Sequence, residues 1–150
     1  MPNWCLTFIK SLIQDISAKD NEPLSSFKGC SALDLDNLMK VQSVNRLPEI
    51  YLQFMLQMGN GFGSRSDDML WTINELKDFK KNNITFIEKD TFIFMWQNLD
   101  VFTLYGFPTA EVNDNPKILM WDESLIEYQM IQTGDTLSEF LISFFAPDHD

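Results

Sequence analysis

Apolar residues first recur along the chain at helical spacing. Trp4, Phe8 and Leu12 form one stripe, with Cys5, Ile9, Ile13 and Ile16 beside it. This spacing predicts a first helix to about Ala18, with Asn3 as its cap. Residues 19–31 are polar and turn-rich, carry Pro23 and Gly29, and read as a loop. Ser31 or Asp34 can cap a second helix bearing Leu35, Leu38 and Met39. A third helix has both of its ends written into the sequence. Pro48 suits the first helical position, where its missing N–H costs nothing. Glu49 places an anion in the first turn, where the helix dipole favours it. Tyr51, Phe54, Met55 and Met58 make one apolar face. Gly59 is expected in the left-handed conformation that ends a helix, with Asn60-Gly61 continuing as a turn.

Beyond Gly63 the period shortens. A polar turn, Ser64 to Asp68, leads into a strand from Met69 to Ile73. Asn74 caps a short helix through Phe79, and Ile84 to Ile87 reads as extended. Thr91 to Gln97 is rich in aromatic and β-branched residues and predicts a strand. Asn98-Leu99-Asp100 reads as a hairpin turn into a strand from Val101 to Tyr105. Gly106, Pro108 and the segment Glu111 to Pro116 read as a longer loop, followed by a strand from Lys117 to Trp121. After Asp122-Glu123-Ser124, an edge strand is expected from Glu127 to Ile131. Asp135 is expected to cap a last helix with Leu137, Phe140, Leu141, Phe144 and Phe145 on its buried side.

The strand links are mainly too short for helical crossovers. The order therefore predicts an α+β fold, a mostly antiparallel meandering sheet with helices packed on one side. N-terminal helices open it and a C-terminal helix closes it. Residues 1–150 are expected to form a single domain, with Leu47, Tyr51, Phe54, Met55, Phe94, Trp121, Phe140 and Leu141 in one core.

Composition changes the picture mainly through charge. The chain is acidic, with a formal net charge of −11. Residues 1–89 hold eleven acidic and ten basic side chains, whereas residues 90–150 hold eleven acidic and one basic, Lys117. The negative charge thus belongs to the C-terminal part. Such a field repels nucleic acid and anionic membrane, and it steers a basic partner inward. The acids expected at turns and strand ends, Asp100, Asp114, Asp122, Glu123 and Glu127, are the candidate partner-binding residues. The plain alternative is a solvated surface that keeps the protein soluble. No apolar run has the length of a membrane helix, and Lys10 interrupts the first apolar stretch, so neither a span nor a signal peptide is expected. Two cysteines, Cys5 and Cys30, make no disulfide framework and read as reduced thiols of a cytoplasmic protein.

Little chemistry is written in the chain. The single histidine, His149, is next to last, which leaves no Ser–His–Asp or Cys–His arrangement. No CxxC pair or histidine cluster supports zinc, and Asp114, Asp122 and Glu123 lack the pattern of an EF-hand loop. Gly59-Asn60-Gly61-Phe62-Gly63 follows a helix and has no Lys-Ser/Thr, so it reads as a helix stop and not a phosphate cradle. Trp71, Trp96 and Trp121 fall in predicted strands, which fits core packing better than a stacking platform for bases. No catalytic residue, metal or cofactor is expected.

The string from Leu47-Pro48 through Tyr51, Phe54 and Met55-Leu56 to Asn60-Gly61 resembles the LP-x-x-Y/F-x-x-F-L…N-G motif of the SMI1/KNR4 superfamily, also called SUKH. The preceding helix, Asp34 to Val44, is similar to the start of that family's core. The run from Phe92 to Phe102 resembles its central aromatic hairpin, and Asn115-Pro116 to Trp121 resembles its Pro-led strand. Asp135 to Leu141 resembles its closing helix, with Leu137 where Phe is usual. The motifs come in the family's order. The shared positions are core and turn residues, so the resemblance implies a fold and a non-enzymatic binding role, not a catalytic site. Its bacterial members are mostly immunity proteins that neutralise toxins, commonly nucleases, passed between competing cells. Its fungal members are regulators of cell-wall synthesis and signalling with long disordered extensions. The chain carries no such extension, so the bacterial type is the expectation, with a basic toxin domain as partner. The alternative is a regulatory or adaptor protein of the same type that binds a cellular partner.

Overall fold

The structure is a computed structural model that describes residues 4–62, 91–98, 101–109, 113–125 and 129–145. The polar turn, strand, helix and extended stretch expected between Ser64 and Ile87, with Trp71, lie outside the described residues, as does the Asn3 cap. Helix α1 (Trp4–Asp20), a 3₁₀ turn (Leu24–Ser26), strand β1 (Phe27–Lys28), helices α2 (Ala32–Val41) and α3 (Glu49–Met58) and strand β2 (Gly61–Phe62) come first. Strands β3 (Thr91–Asn98), β4 (Phe102–Pro108), β5 (Lys117–Asp122) and β6 (Ile131–Thr136) follow, then helix α4 (Leu137–Phe145). β1 and β2 pair antiparallel, and β3-β4-β5-β6 form an antiparallel meander in sequence order. The expected α+β layout is the observed one.

The helices lie on one face of the larger sheet. Cys5, Ile9, Leu12 and Ile16 of α1, Leu35 and Leu38 of α2, Ile50 to Met58 of α3 and Leu137, Leu141 and Phe145 of α4 meet Phe92, Phe94, Phe107 and Ile118 of the strands. At the centre, the Tyr51 ring stands edge-on to Phe92 at 5.2 Å and to Phe107 at 5.4 Å, while Phe92 and Phe107 stack at 4.9 Å. Burial pushes the Tyr51 hydroxyl well above its ordinary pKa, and it has no hydrogen-bond partner among the described residues.

Several details differ from the pattern reading. The buried stripe of α1 runs through residues 5, 9, 12 and 16, so Trp4 is 45% exposed and Phe8 half-buried. Trp121 does not join the main core. Strand alternation sends Ile118 to the helices and Trp121 to the opposite face, where it packs with Ile93, Leu104 and Met130, flanked by Trp96 and Phe102. Phe140 packs at the margin of the main core, half-buried. β4 runs through Gly106 and Phe107 to Pro108, where a loop was expected. A glycine there lets β3 approach, since a Cβ on Gly106 would lie 2.5 Å from the Phe92 carbonyl oxygen. The edge strand occupies Ile131–Thr136, later than expected, so α4 starts at Leu137 and Asp135 is a strand residue. Thr136 is the cap instead. Its hydroxyl accepts the Glu139 N–H at 3.3 Å and Glu139 Oε1 accepts the Thr136 N–H at 2.9 Å.

The helix ends carry the sharpest corrections. Pro48 is the N-cap of α3 (φ −56°, ψ 142°) and not its first helical residue. Gly59 is right-handed, at φ −67°, and its N–H continues the helix onto the Met55 carbonyl at 3.1 Å. Space, not handedness, calls for glycine there, because a Cβ would fall 2.7 Å from Met55 Cα. The left-handed caps are Asn21 (φ 54°) and Ser43 (φ 59°). Each closes a Schellman motif: Glu22 N–H reaches the Ser17 carbonyl, and Val44 N–H reaches that of Met39 at 2.9 Å.

Candidate functional site

The described candidate acids occupy the two ends of β5. Asp114 lies before it, in the Asn113–Pro116 connection, and Asp122 and Glu123 end it. Six residues at about 3.3 Å each put roughly 20 Å between these ends, so the three do not converge. Asp100 and Glu127 lie outside the described residues.

Asp114 is engaged in holding the fold. Its carboxylate pairs with Arg46 at 3.1 Å, with side chains 33% and 54% exposed, and its carbonyl accepts the Ile50 N–H from the first turn of α3. The same connection also grips α4. Asn115 Oδ1 accepts the Ser138 N–H at 2.9 Å, Asn115 Nδ2 donates to the Ser138 hydroxyl at 2.8 Å, and the Pro116 carbonyl accepts the Leu137 N–H. Three residues, Asp114, Asn115 and Pro116, thus satisfy three of the free N–H groups at the starts of two helices. Asx and Pro residues in this segment signal a turn in sequence; nothing there signals which helices it will tether.

At the far end of β5 the acids part company. Asp122 sits opposite Thr103 on the helix-side face and raises the pKa of the Tyr105 hydroxyl, after burial, which raises it more. Its Oδ1 accepts both the N–H and the hydroxyl of Ser124. Glu123 is exposed. It accepts the Phe102 N–H at 3.0 Å and returns its own N–H to the Phe102 carbonyl. This leaves Glu123 beside the half-buried Trp96–Phe102 pair, whose rings lie 5.5 Å apart. Further acids reach solvent beyond β5: Asp135 on β6 and Glu139 on α4 are both exposed. Lys117 spends its ammonium on the Gly134 carbonyl at 3.1 Å.

A cavity of about 200 Å³ opens beside Arg46, walled by Val44, Pro48, Phe107 and Pro108 with Asn45 at its rim. That is below the range of roughly 300–1,000 Å³ typical of small-molecule sites and is the size of one side chain. Among the described residues no three His, Cys, Asp or Glu side chains group as a metal site would require. Cys5 and Cys30 are both buried. Burial, then Asp114 and Glu49, pushes the Cys5 thiol up to about 11, so it is protonated at neutral pH and a poor nucleophile. Among the described residues no helix is long and apolar enough to cross a membrane.

One residue that pattern reading passes over has a clear structural task. Gln42 is buried at the end of α2, where its Nε2 donates to the Ile93 carbonyl at 2.7 Å and its Oε1 accepts the Ile93 N–H at 2.8 Å. The carboxamide stands in for one residue of a neighbouring strand along the edge of β3. The chain matches no protein-family model, no curated protein and no solved structure.

Proposed function

We propose that the chain is a non-enzymatic binding domain, an immunity protein of the SMI1/KNR4 type. It neutralises a cognate bacterial toxin in the cytoplasm of the cell that makes both. The observation that carries this reading is the charge asymmetry, eleven acids against one base in residues 90–150. Glu123, Asp135 and Glu139 present part of that charge to solvent, while Lys117 is turned onto a backbone carbonyl. A nuclease must hold a polyanion, so its groove is basic, and an acidic inhibitor is attracted to that groove at long range. A nuclease is therefore the toxin class proposed. The motif order along Leu47–Gly61, Phe92–Phe102, Asn115–Trp121 and Asp135–Leu141 adds the family resemblance.

The first test is the neighbouring gene, where a polymorphic toxin is expected, and the second is co-expression with its toxin domain. Rescue of growth, and a stoichiometric complex whose association slows as salt rises, are expected. Growth arrest unrelieved by the chain, with no complex formed, would remove the immunity reading. Charge reversal to Lys at Asp122 and Glu123 should slow association and flatten its salt dependence.

A further inference from the structure

We propose that the outer edge of β6, over Ile131–Thr133, is a docking strand whose occupant is an extended, basic segment of a partner protein. The inference deepens the binding function above and rests on it for the partner's class. Among the described residues, sheet order places β6 at the end of the meander, joined to β5 alone. Five successive residues, Ile131 to Asp135, are exposed, and among the described residues nothing pairs with the outer side of the strand. An edge of this kind turns alternate N–H and C=O groups outward, and an extended peptide satisfies them by adding a strand.

Two further observations fix the occupant. Ile131 is 44% exposed and faces the half-buried Met120 across the ladder, so an apolar pair lies part-covered beside the open edge. An alternate side chain of an added strand can cover that pair. The charge beside it is net negative, with the exposed acids Asp135 and Glu139 outnumbering the one base, Lys117. A second copy of this chain would bring like charge to like charge at a net −11 each, whereas a strand bearing Lys or Arg meets complementary charge. The register also sets where docking stops. Gly134 has φ 95° and the β5–β6 pairing is irregular between Lys117 and Leu119, so the regular edge ends at Thr133.

The experiment uses the full chain and amide hydrogen exchange read residue by residue. The probe is a short peptide alternating Lys and Val, with a Glu–Val peptide as its counterpart. The Lys peptide should slow exchange several-fold at Ile131–Thr133, less so as salt rises, and leave Ile93 unchanged. Asp135→Lys should weaken that protection while retaining a cooperative melt. Absent protection, protection elsewhere, or equal protection by the Glu peptide would overturn the proposal. Protection that grows with protein concentration, together with a dimer mass by light scattering, would assign the edge to self-association and overturn it as well. A neutralising toxin complex whose β6 amides exchange freely would remove the docking strand and leave the immunity function standing. Protection by the Lys peptide with no toxin neutralised would do the reverse.

Discussion

Among the described residues, the β3 edge of the sheet meets the Gln42 carboxamide, and the β6 edge meets no strand. Both strands lie at the margin of the same meander, yet their surroundings differ. Thr91 to Met95 of β3 are buried, with Ile93 fully so, whereas Ile131 to Asp135 of β6 are exposed. A backbone N–H or C=O that loses its partner inside the protein pays its full desolvation penalty, and the same group at the surface bonds to water. The buried edge must therefore be closed from within the chain, and the exposed edge need not be. Where β6 is guarded, the means is irregularity: the Gly134 conformation and the shifted register.

The strongest way to break this contrast is Gln42→Ala. It strips both partners from the buried Ile93 peptide groups at once. Each orphaned group costs about 1–3 kcal/mol, so a loss of about 2–6 kcal/mol is expected in denaturant unfolding. Gln42→Glu should also destabilise, because it puts an acceptor where Ile93 needs a donor. A Gln42→Ala midpoint equal to the wild type would show that the β3 edge does not depend on this amide.

At the open edge the corresponding change is Gly134→Val. No neighbour lies within 4 Å of a Cβ built there, so crowding adds nothing. The cost comes from φ 95°, a conformation that a β-branched residue resists, and about 1–2 kcal/mol is expected. Thermal melting checks it. A larger loss would mean that Gly134 is packed more tightly than its exposure indicates.

A smaller effect, of opposite sign, belongs to Ser43→Gly. Ser43 follows Gln42 directly and holds φ 59° at the left-handed position of the α2 cap. Glycine takes that conformation without the Cβ penalty, so a gain of about 0.5–1 kcal/mol is expected in denaturant unfolding. If the gain is absent, the serine is not strained where it aims Gln42 at β3.

These residues also mark the boundary of what the sequence makes legible. The third helix, the β3–β4 hairpin and the closing helix can be read from apolar spacing, because burial imposes a local period that the chain must repeat. Strand faces can be read only when the register is known, which is why Trp121 is assigned to the wrong cluster from pattern alone. Cap chemistry is degenerate in sequence. Gly59 has the glycine expected of a left-handed cap, yet Asn21 and Ser43 take that conformation and Gly59 answers a close approach. Gln42 gives no signal at all, since its partner lies 51 residues away and a polar residue at a helix end is usually solvated. The candidate acids are legible as charge but not as geometry: nothing in the spacing of Asp114, Asp122 and Glu123 reveals that β5 holds them at opposite ends.

The smallest expected effect lies where β6 turns into α4. The Glu139 carboxyl is held below its usual value of 4.5, chiefly by the Thr136 backbone N–H, then by the Thr136 hydroxyl, with Lys117 adding. In the unfolded chain these partners are gone and the group titrates near its ordinary value. A carboxyl whose pKa is lower when folded stabilises the fold fully above that ordinary value. The contribution is lost as pH falls through the lowered one. The cap joining the open edge to α4 should therefore hold at neutral pH and weaken only below about pH 4.5. Glu139→Gln retains an acceptor for Thr136 but cannot titrate. Its denaturation midpoint should fall less than that of the wild type between neutral and acid pH, with the two converging at the acid end. Parallel midpoints throughout that range would show that the Thr136–Glu139 cap contributes nothing to the pH dependence, and that β6 passes into α4 held by the Asn115–Ser138 bonds instead.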